Sequence, residues 1–334
     1  MNVLVAGGAG LIGAGVSNAL LEEGDGVIVA DGFDEGGDGR NVKEWRAERL
    51  ASDRRAAVER VDLTDAAALE ELFARSRPAA VVNAALFDPA GAGAGPLMRA
   101  ARTAGTGLFV HLSDGALYAA GPEPERPARE EEPLDAGGDT GLAAKLEEER
   151  LLAEIGLPFV SLRLFEVLGP MFPPRRFPVA ALDAILAGED VHYEEAGWRD
   201  VLHLDDAVRG ILLSLRRRPL GRAVNLGGGL MVNPRTLIAL LAREAGKELR
   251  IRVTPPPGPL RPRRPANLEA AARELGWAPA FTVGNIVESL VSARLGTPAP
   301  RRRLATARSR EPARPVSRRD LFGLFRRPFR GPGR

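Results

Sequence analysis

A short apolar run, Asn2-Val3-Leu4-Val5-Ala6, leads straight into Gly7-Gly8-Ala9-Gly10-Leu11-Ile12-Gly13, and a helical pattern follows over residues 11–23. No other feature of this chain narrows its fold as much. The turn reads as Gly8-x-Gly10-x-x-Gly13 or as Gly7-x-x-Gly10-x-x-Gly13. Either way the glycines permit a tight turn, let the backbone approach a pyrophosphate, and leave the helix N–H groups aimed at it. Asp31 ends the second apolar run about 20 residues on, where a carboxylate accepts hydrogen bonds from the ribose hydroxyls of an adenine dinucleotide. Its charge repels a 2′-phosphate, so NAD is expected in preference to NADP.

Further apolar runs follow at Gly26 to Asp31, Val58 to Asp62, Ala80 to Ala84, Leu108 to Leu112 and Pro158 to Leu164. Helical patterns at 65–75, 93–104 and 141–155 separate the later ones. Strands alternating with crossover helices predict an α/β fold, a doubly wound parallel Rossmann sheet covered on both faces. After Glu166 the alternation weakens. Helices are expected near 177–187, 205–217, 234–246 and 282–294, in a smaller α/β region over the sheet edge. The expected organisation is a nucleotide-binding domain over 1–165 and a substrate region over 166–297, of which about 199–226 returns to the sheet. Residues 298–334 are Pro, Arg, Ala and Ser rich and read as a disordered tail.

Composition excludes several kinds of chemistry. The chain has no cysteine, so disulfides, thiolate nucleophiles and Cys-held metals are ruled out, and a cytoplasmic setting is expected. His111, His192 and His203 stand singly, and no metal site is expected from them. The first strand starts almost at Met1, so no leader is expected at this end, and no apolar run approaches membrane-spanning length. The tail sets twelve arginines against Glu311 and Asp320, a net +10, so the whole-chain +2 leaves −8 on the body. An acidic body with a basic tail suits an acidic partner or an anionic membrane surface, and nothing suggests base-specific readout of nucleic acid.

Five landmarks in order carry a family resemblance: Val61-Asp62-Leu63-Thr64-Asp65, Asn83-Ala84-Ala85, Leu162-Arg163-Leu164-Phe165-Glu166-Val167-Leu168-Gly169-Pro170, Trp198-Arg199-Asp200-Val201-Leu202-His203-Leu204-Asp205-Asp206 and Val224-Asn225-Leu226-Gly227. The third resembles the segment LRxFNVYGP, the fourth RDFIHVDD and the fifth YNIG. Over residues 1 to 295 the chain resembles the extended short-chain dehydrogenase/reductase family, the NAD-dependent nucleotide-sugar epimerases and dehydratases. The stretch Asp31 to Leu50 looks most like the UDP-glucuronate 4-epimerase subgroup. The resemblance implies cofactor contacts at Asp62, Leu63, Ala84, Ala85, Ser113 and Lys145, beside Gly7, Gly10, Leu11, Ile12, Gly13 and Asp31. It also implies a nucleotide-diphosphate sugar as ligand and a homodimer formed through helices of the nucleotide domain.

In that family a Ser or Thr, a Tyr and a Lys carry the chemistry, the last two spaced Y-x-x-x-K. Lys145 matches the lysine, but Gly141 stands four residues earlier, where the tyrosine belongs. His111-Leu112-Ser113-Asp114-Gly115-Ala116-Leu117-Tyr118 resembles SSSxxVYG, which puts Asp114 at the hydroxyl position. Glu166 replaces an asparagine near the substrate, and a carboxylate there repels a diphosphate. Asp114 and Tyr118 are the nearest substitutes for the missing acid/base group. Lys145 also reads as a surface lysine of the charged run Lys145 to Arg150.

Arg199 falls where the family binds pyrophosphate, and a second such arginine is expected among Arg261, Arg263 and Arg264, with Arg263 the best placed; a solvated basic loop is the other reading. Asp205 and Asp206 are expected to cap a helix. Two functions follow. One is an NAD-dependent nucleotide-sugar epimerase or dehydratase with impaired or altered catalysis. The other is a catalytically silent NAD-binding sensor or scaffold whose tail recruits a partner.

Overall fold

The computed structural model describes residues 1–34, 38–87, 91, 93–118, 126–170, 172–173, 176–194, 197–255 and 263–297. Arg261 and the tail over 298–334 lie outside the described residues. The first half runs β1 (Asn2–Ala6), α1 (Leu11–Glu22), β2 (Gly26–Asp31), α2 (Arg40–Ala51), β3 (Ala56–Arg60), α3 (Ala66–Ser76), β4 (Ala80–Asn83), α4 (Gly95–Thr103), β5 (Phe109–Asp114), α5 (Thr140–Glu154) and β6 (Phe159–Leu164). The second half runs β7 (Glu166–Leu168), α6 (Val179–Ala187), β8 (Val191–Glu194), β9 (Arg199–His203), α7 (Leu204–Arg217), β10 (Arg222–Leu226), β11 (Met231–Val232), α8 (Pro234–Glu244), β12 (Ile251–Thr254) and α9 (Val283–Leu295).

Seven parallel strands form the main sheet in the order β10-β6-β5-β4-β1-β2-β3. Side chains alternate across it. Val3, Val5, Val29, Val82 and Val110 face one core with Val16 and Leu20 of α1 and Val208 and Ile211 of α7, while Leu4, Ala6, Ile28 and Phe109 face the other with Phe73, Leu97 and Leu152. A parallel sheet buried on both faces explains why its strands read as unbroken apolar runs. Fully burying one such side chain contributes about 1.5–3 kcal/mol. The strand order reverses beside β1, whose neighbours are β2 and β4, so a crevice opens where the chain leaves the carboxyl ends of these strands.

The remaining strands make a three-stranded sheet, β11-β9-β7, and a two-stranded one, β12-β8. A separate core of Leu182, Ile185, Leu237, Ile238, Leu241, Ile286 and Leu290 joins α6, α8 and α9. Among the described residues no helix is long and apolar enough to cross a membrane.

Two local readings are corrected. The segment Arg40–Ala51, which carried no helical expectation, forms α2; its Arg-, Lys- and Glu-rich sequence has little apolar periodicity, and it buries chiefly Arg46, Ala47 and Leu50. The cap of α7 is His203, whose Nδ1 accepts from the Asp205 N–H at 3.1 Å. Asp206 is instead buried inside the first turn. Its Oδ2 accepts from the N–H groups of Ala280 and Phe281, and its Oδ1 pairs with Arg209.

Candidate active site

A cavity of about 1000 Å³ lies at the carboxyl ends of the main sheet, running from Gly7 and Asp31 at one end to Arg199 and Arg263 at the other. The glycine turn makes the first wall. Gly7 has φ +69°, and a Cβ on it would lie 2.7 Å from the Cα of Ala85. Gly13 packs still closer, since a Cβ there would lie 2.1 Å from the carbonyl oxygen of Gly7. Gly7, Gly10, Leu11 and Ile12 line the cavity, whereas Gly13 sits behind them and lets helix and turn meet. No side chain caps α1, and its first turn holds no acidic residue, so its N–H groups stay available to an anion.

Asp31 lines the same end and is almost fully buried. Its Oδ2 accepts from Ala9 N–H at 3.1 Å, its Oδ1 accepts from Phe33 N–H at 2.9 Å, and Lys43 Nζ stands 3.4 Å from Oδ1. Lys43 also pairs with Asp34, and although burial opposes it, the two carboxylates hold its ammonium above the ordinary lysine range. Nothing in the sequence alone signalled Lys43, because it lies in α2. Asp62 accepts from both the N–H and the hydroxyl of Thr64, which draws its carboxyl below the usual range. Leu63, Ala84, Ala85 and Ser113 complete this wall.

Lys145 reaches the cavity from α5. Its ammonium donates to Glu148 at 2.9 Å and to the Ala85 carbonyl at 3.4 Å, so it is not a surface lysine. Gly141 lies in the first turn of α5, exposed and without a side chain.

The two candidate acids differ sharply. Tyr118 borders the cavity, but its hydroxyl donates to Asn225 Oδ1 at 2.7 Å and accepts from Arg163 Nη1 at 2.7 Å. Arg163 is itself gripped by Glu149 through Nε at 3.0 Å and Nη2 at 2.8 Å. Burial pushes the Tyr118 phenol up to about 12. The Tyr118 hydroxyl, expected as a replacement acid, thus ties the segment after β5 to β6 and β10 inside the protein. Asp114 lies at the end of β5 with Oδ1 accepting from Ala116 N–H at 2.7 Å, and its Oδ2 has no hydrogen bond among the described residues. Burial pushes its carboxyl above the usual range, and the charges of Arg263 and Lys145 act against that push.

At the far end Arg199 Nη1 donates to Glu166 Oε2 at 2.8 Å. The residue expected to hold a diphosphate and the residue expected to repel one thus form an ion pair. Arg263 and Arg264 both line the cavity, Arg263 exposed and Arg264 buried and bonded to Glu132 and to the carbonyls of Arg126 and Pro127. Asp200, next to Arg199, accepts from the N–H groups of Gly228, Gly229 and Ala266, and burial raises its carboxyl to about 7.

Residues 3–227 match the model of a family described as the NAD dependent epimerase/dehydratase family. This chain belongs to that family. Its relatives include the UDP-glucuronate 4-epimerase of Thermodesulfobacterium geofontis (strain OPF15), 27% identical over 264 residues, spanning 73% of this chain and 81% of that protein. The UDP-glucose 4-epimerase of Erwinia amylovora is 26% identical over 327 residues, spanning 83% and 93%. Among solved structures, UDP-glucose 4-epimerase from Thermotoga maritima with UDP-glucose superposes with TM-score 0.78 at 25% identity, covering 89% of this chain and 99% of that one. UDP-glucuronic acid 4-epimerase from Bacillus cereus, in complex with UDP-glucuronic acid and NAD, gives TM-score 0.78 at 21% identity over the same shares, a likeness of fold. Membership in the NAD dependent epimerase/dehydratase family agrees with the glycine turn, the parallel sheet and the place of the cavity.

Proposed function

We propose that the cavity takes NAD at its Gly7 to Asp31 end and a nucleotide-sugar ligand at its Arg199 to Arg263 end, and that catalysis is altered by the loss of the tyrosine at position 141. The fit to a dinucleotide is supported by the close approach at Gly7 and Gly13 and by the uncapped start of α1. Gly7, Gly10, Leu11 and Ile12 would hold the pyrophosphate, Asp31 the adenosine ribose, Asp62 and Leu63 the adenine, and Ala84, Ala85, Ser113 and Lys145 the nicotinamide half. When bound, NAD supplies a reversible hydride acceptor.

Proton transfer then falls to this chain's own residues. Asp114 is the group assigned to exchange a proton with the sugar hydroxyl, and the observation that carries this is the contrast with Tyr118: both line the cavity, but one carboxyl oxygen of Asp114 has no hydrogen bond among the described residues, while the phenol is held by Asn225 and Arg163. A raised carboxyl matches an acid/base role better than an ordinary one, because efficient general acid–base groups titrate near the working pH. Turnover of UDP-glucuronate and UDP-galactose with NAD, for the native chain beside Gly141→Tyr and Asp114→Asn, tests the assignment. Native turnover abolished by Asp114→Asn supports it. Turnover by Gly141→Tyr alone would show that the chemistry went with the hydroxyl.

A second reading, a silent NAD-binding protein, is favoured by the engagement of Lys145 with Glu148 and of Arg199 with Glu166. It requires NAD binding with no turnover by the native chain. Under either reading the +10 tail would attach the body to an acidic partner or an anionic surface, which co-sedimentation with anionic vesicles with and without residues 298–334 checks. Homodimer formation through the helices of the nucleotide half remains part of the proposal, to be read by light scattering.

A further inference from the structure

Beneath the Lys145 wall the polar groups close into a ring. Ala85 N–H donates to Asn83 Oδ1 at 3.3 Å, which turns the Asn83 amide nitrogen toward His111 Nδ1 at 3.2 Å. With Nδ1 accepting and burial holding His111 well below the ordinary histidine range, the ring proton sits on Nε2. That nitrogen is buried, has no hydrogen-bond partner among the described residues, and lies 3.6 Å from Glu148 Oε2. Glu148 Oε2 accepts from Lys145 at 2.9 Å, and Lys145 returns to Ala85 through the carbonyl at 3.4 Å. Ala85, against which Gly7 packs, thus begins and ends the circuit.

Asn83 and His111 are fully buried and Glu148 is 5% exposed. A buried carboxylate is costly unless charge and hydrogen bonds compensate it. Here Oε1 accepts from Ala94 N–H at 3.1 Å and Oε2 meets the ammonium. Residues three apart on a helix share a face, so Glu148 stands beside Lys145 one turn further along α5, on the side away from Gly141.

We infer that Glu148 is the positioning residue for Lys145: it holds the ammonium at the Ala85 carbonyl on the cavity wall, in a helix whose position 141 offers no hydroxyl to orient it. The assignment rests on the proposed use of the cavity for NAD in its functional meaning, and on the ring alone in its structural one. Glu148→Gln is the selective probe, because the amide oxygen can keep the Ala94 bond while the Lys145 arm loses its charge partner.

Two measurements on the full-length protein test the inference. NADH binding, followed by fluorescence titration for native, Glu148→Gln, Lys145→Met and the double variant, should weaken about tenfold in each single variant, the loss of one charge-assisted bond. The double variant should bind no more weakly than Lys145→Met, since a residue acting through the lysine has nothing left to act on. Thermal unfolding run in parallel separates this from a general loss of stability. Independent multiplication of the two effects, or native affinity in Glu148→Gln, overturns the inference. The second arm needs no cofactor. An N-hydroxysuccinimide acetyl ester, read by peptide mass spectrometry, should label Lys145 several-fold faster in Glu148→Gln than in the native chain, with Lys43 and Lys247, the other two lysines, as internal references. Unchanged labelling of Lys145 overturns it as well. If the native protein binds no NADH, the cofactor assignment falls, and the labelling arm decides the positioning role by itself.

Discussion

The two ends of the cavity are built from different materials. At the Gly7 end the wall is backbone: a turn too tight for side chains, the N–H groups that open α1, and a carboxylate held by the N–H groups of Ala9 and Phe33. At the Arg199 end the wall is side chains that satisfy one another, Arg199 with Glu166, and Arg264 with Glu132. A backbone-built site keeps its shape whether or not a ligand is present, and it is disturbed chiefly where a Cβ intrudes on its glycines. A side-chain site can change its preference by one substitution, and here Glu166, Asp114 and Gly141 each depart from the family pattern that the chain resembles.

The strongest challenge to this contrast is Gly13→Ala. With 2.1 Å between the new Cβ and the Gly7 carbonyl oxygen, turn or helix must shift, and NADH affinity should fall roughly a hundredfold, the upper end of an overpacking cost of about 1–3 kcal/mol. Near-native affinity in a fluorescence titration would show that the glycine end is not rigid.

Next in size is an acid-stability effect at the start of α7. His203 is buried against Phe281, and burial lowers its imidazole from 6.5 to about 4. Between those two values the unfolded chain binds a proton that the folded chain refuses, so stability is complete above pH 6.5 and falls as pH drops toward 4. The loss from this group amounts to about 3 kcal/mol. Urea unfolding of native and His203→Asn proteins at pH 7, 5.5 and 4.5 checks the sign, and equal pH slopes in the two would refute it.

Tyr118→Phe comes third. Removing the phenol leaves Asn225 Oδ1 and one Arg163 N–H without their partner, at a cost of about 2 kcal/mol in unfolding free energy. NADH binding should not change. A loss of turnover larger than the loss of folded protein would return Tyr118 to the catalytic candidates. The smallest expected effect belongs to Glu166→Gln, which frees Arg199 for an anion. Uridine diphosphate should bind about fivefold more tightly, close to 1 kcal/mol, in calorimetric titration. Weaker binding would mean that Glu166 orients Arg199 rather than opposing the ligand.

Most of the strands and helices could be anticipated because their cause is local. Val3 to Ala6, Gly26 to Asp31 and Ala80 to Asn83 are apolar on both faces, and a strand buried on both faces leaves that mark in the chain itself. Helix α2 left none, since it buries few apolar side chains. Asp206 resembled a helix cap by position, but its partners at Ala280 and Phe281 are more than seventy residues away.

The run Glu147, Glu148, Glu149 shows the limit most plainly. As letters the three acids are alike, a solvated face of a charged helix. Successive residues on a helix point about 100° apart. In the folded chain Glu147 pairs with exposed Arg150, Glu148 turns inward to Lys145 and His111, and Glu149 grips Arg163. The amino-acid sequence by itself determined the glycine turn, the parallel sheet and the place of Asp31, because backbone sterics and burial on both faces act between near neighbours. Only the tertiary structure decided that Tyr118 is tied inside the protein and that Arg199 is paired, because each depends on which groups distant segments bring within about 3 Å, the length of a hydrogen bond, and that the Lys145–Glu148 pair lies inward, because packing chose which face of α5 is buried.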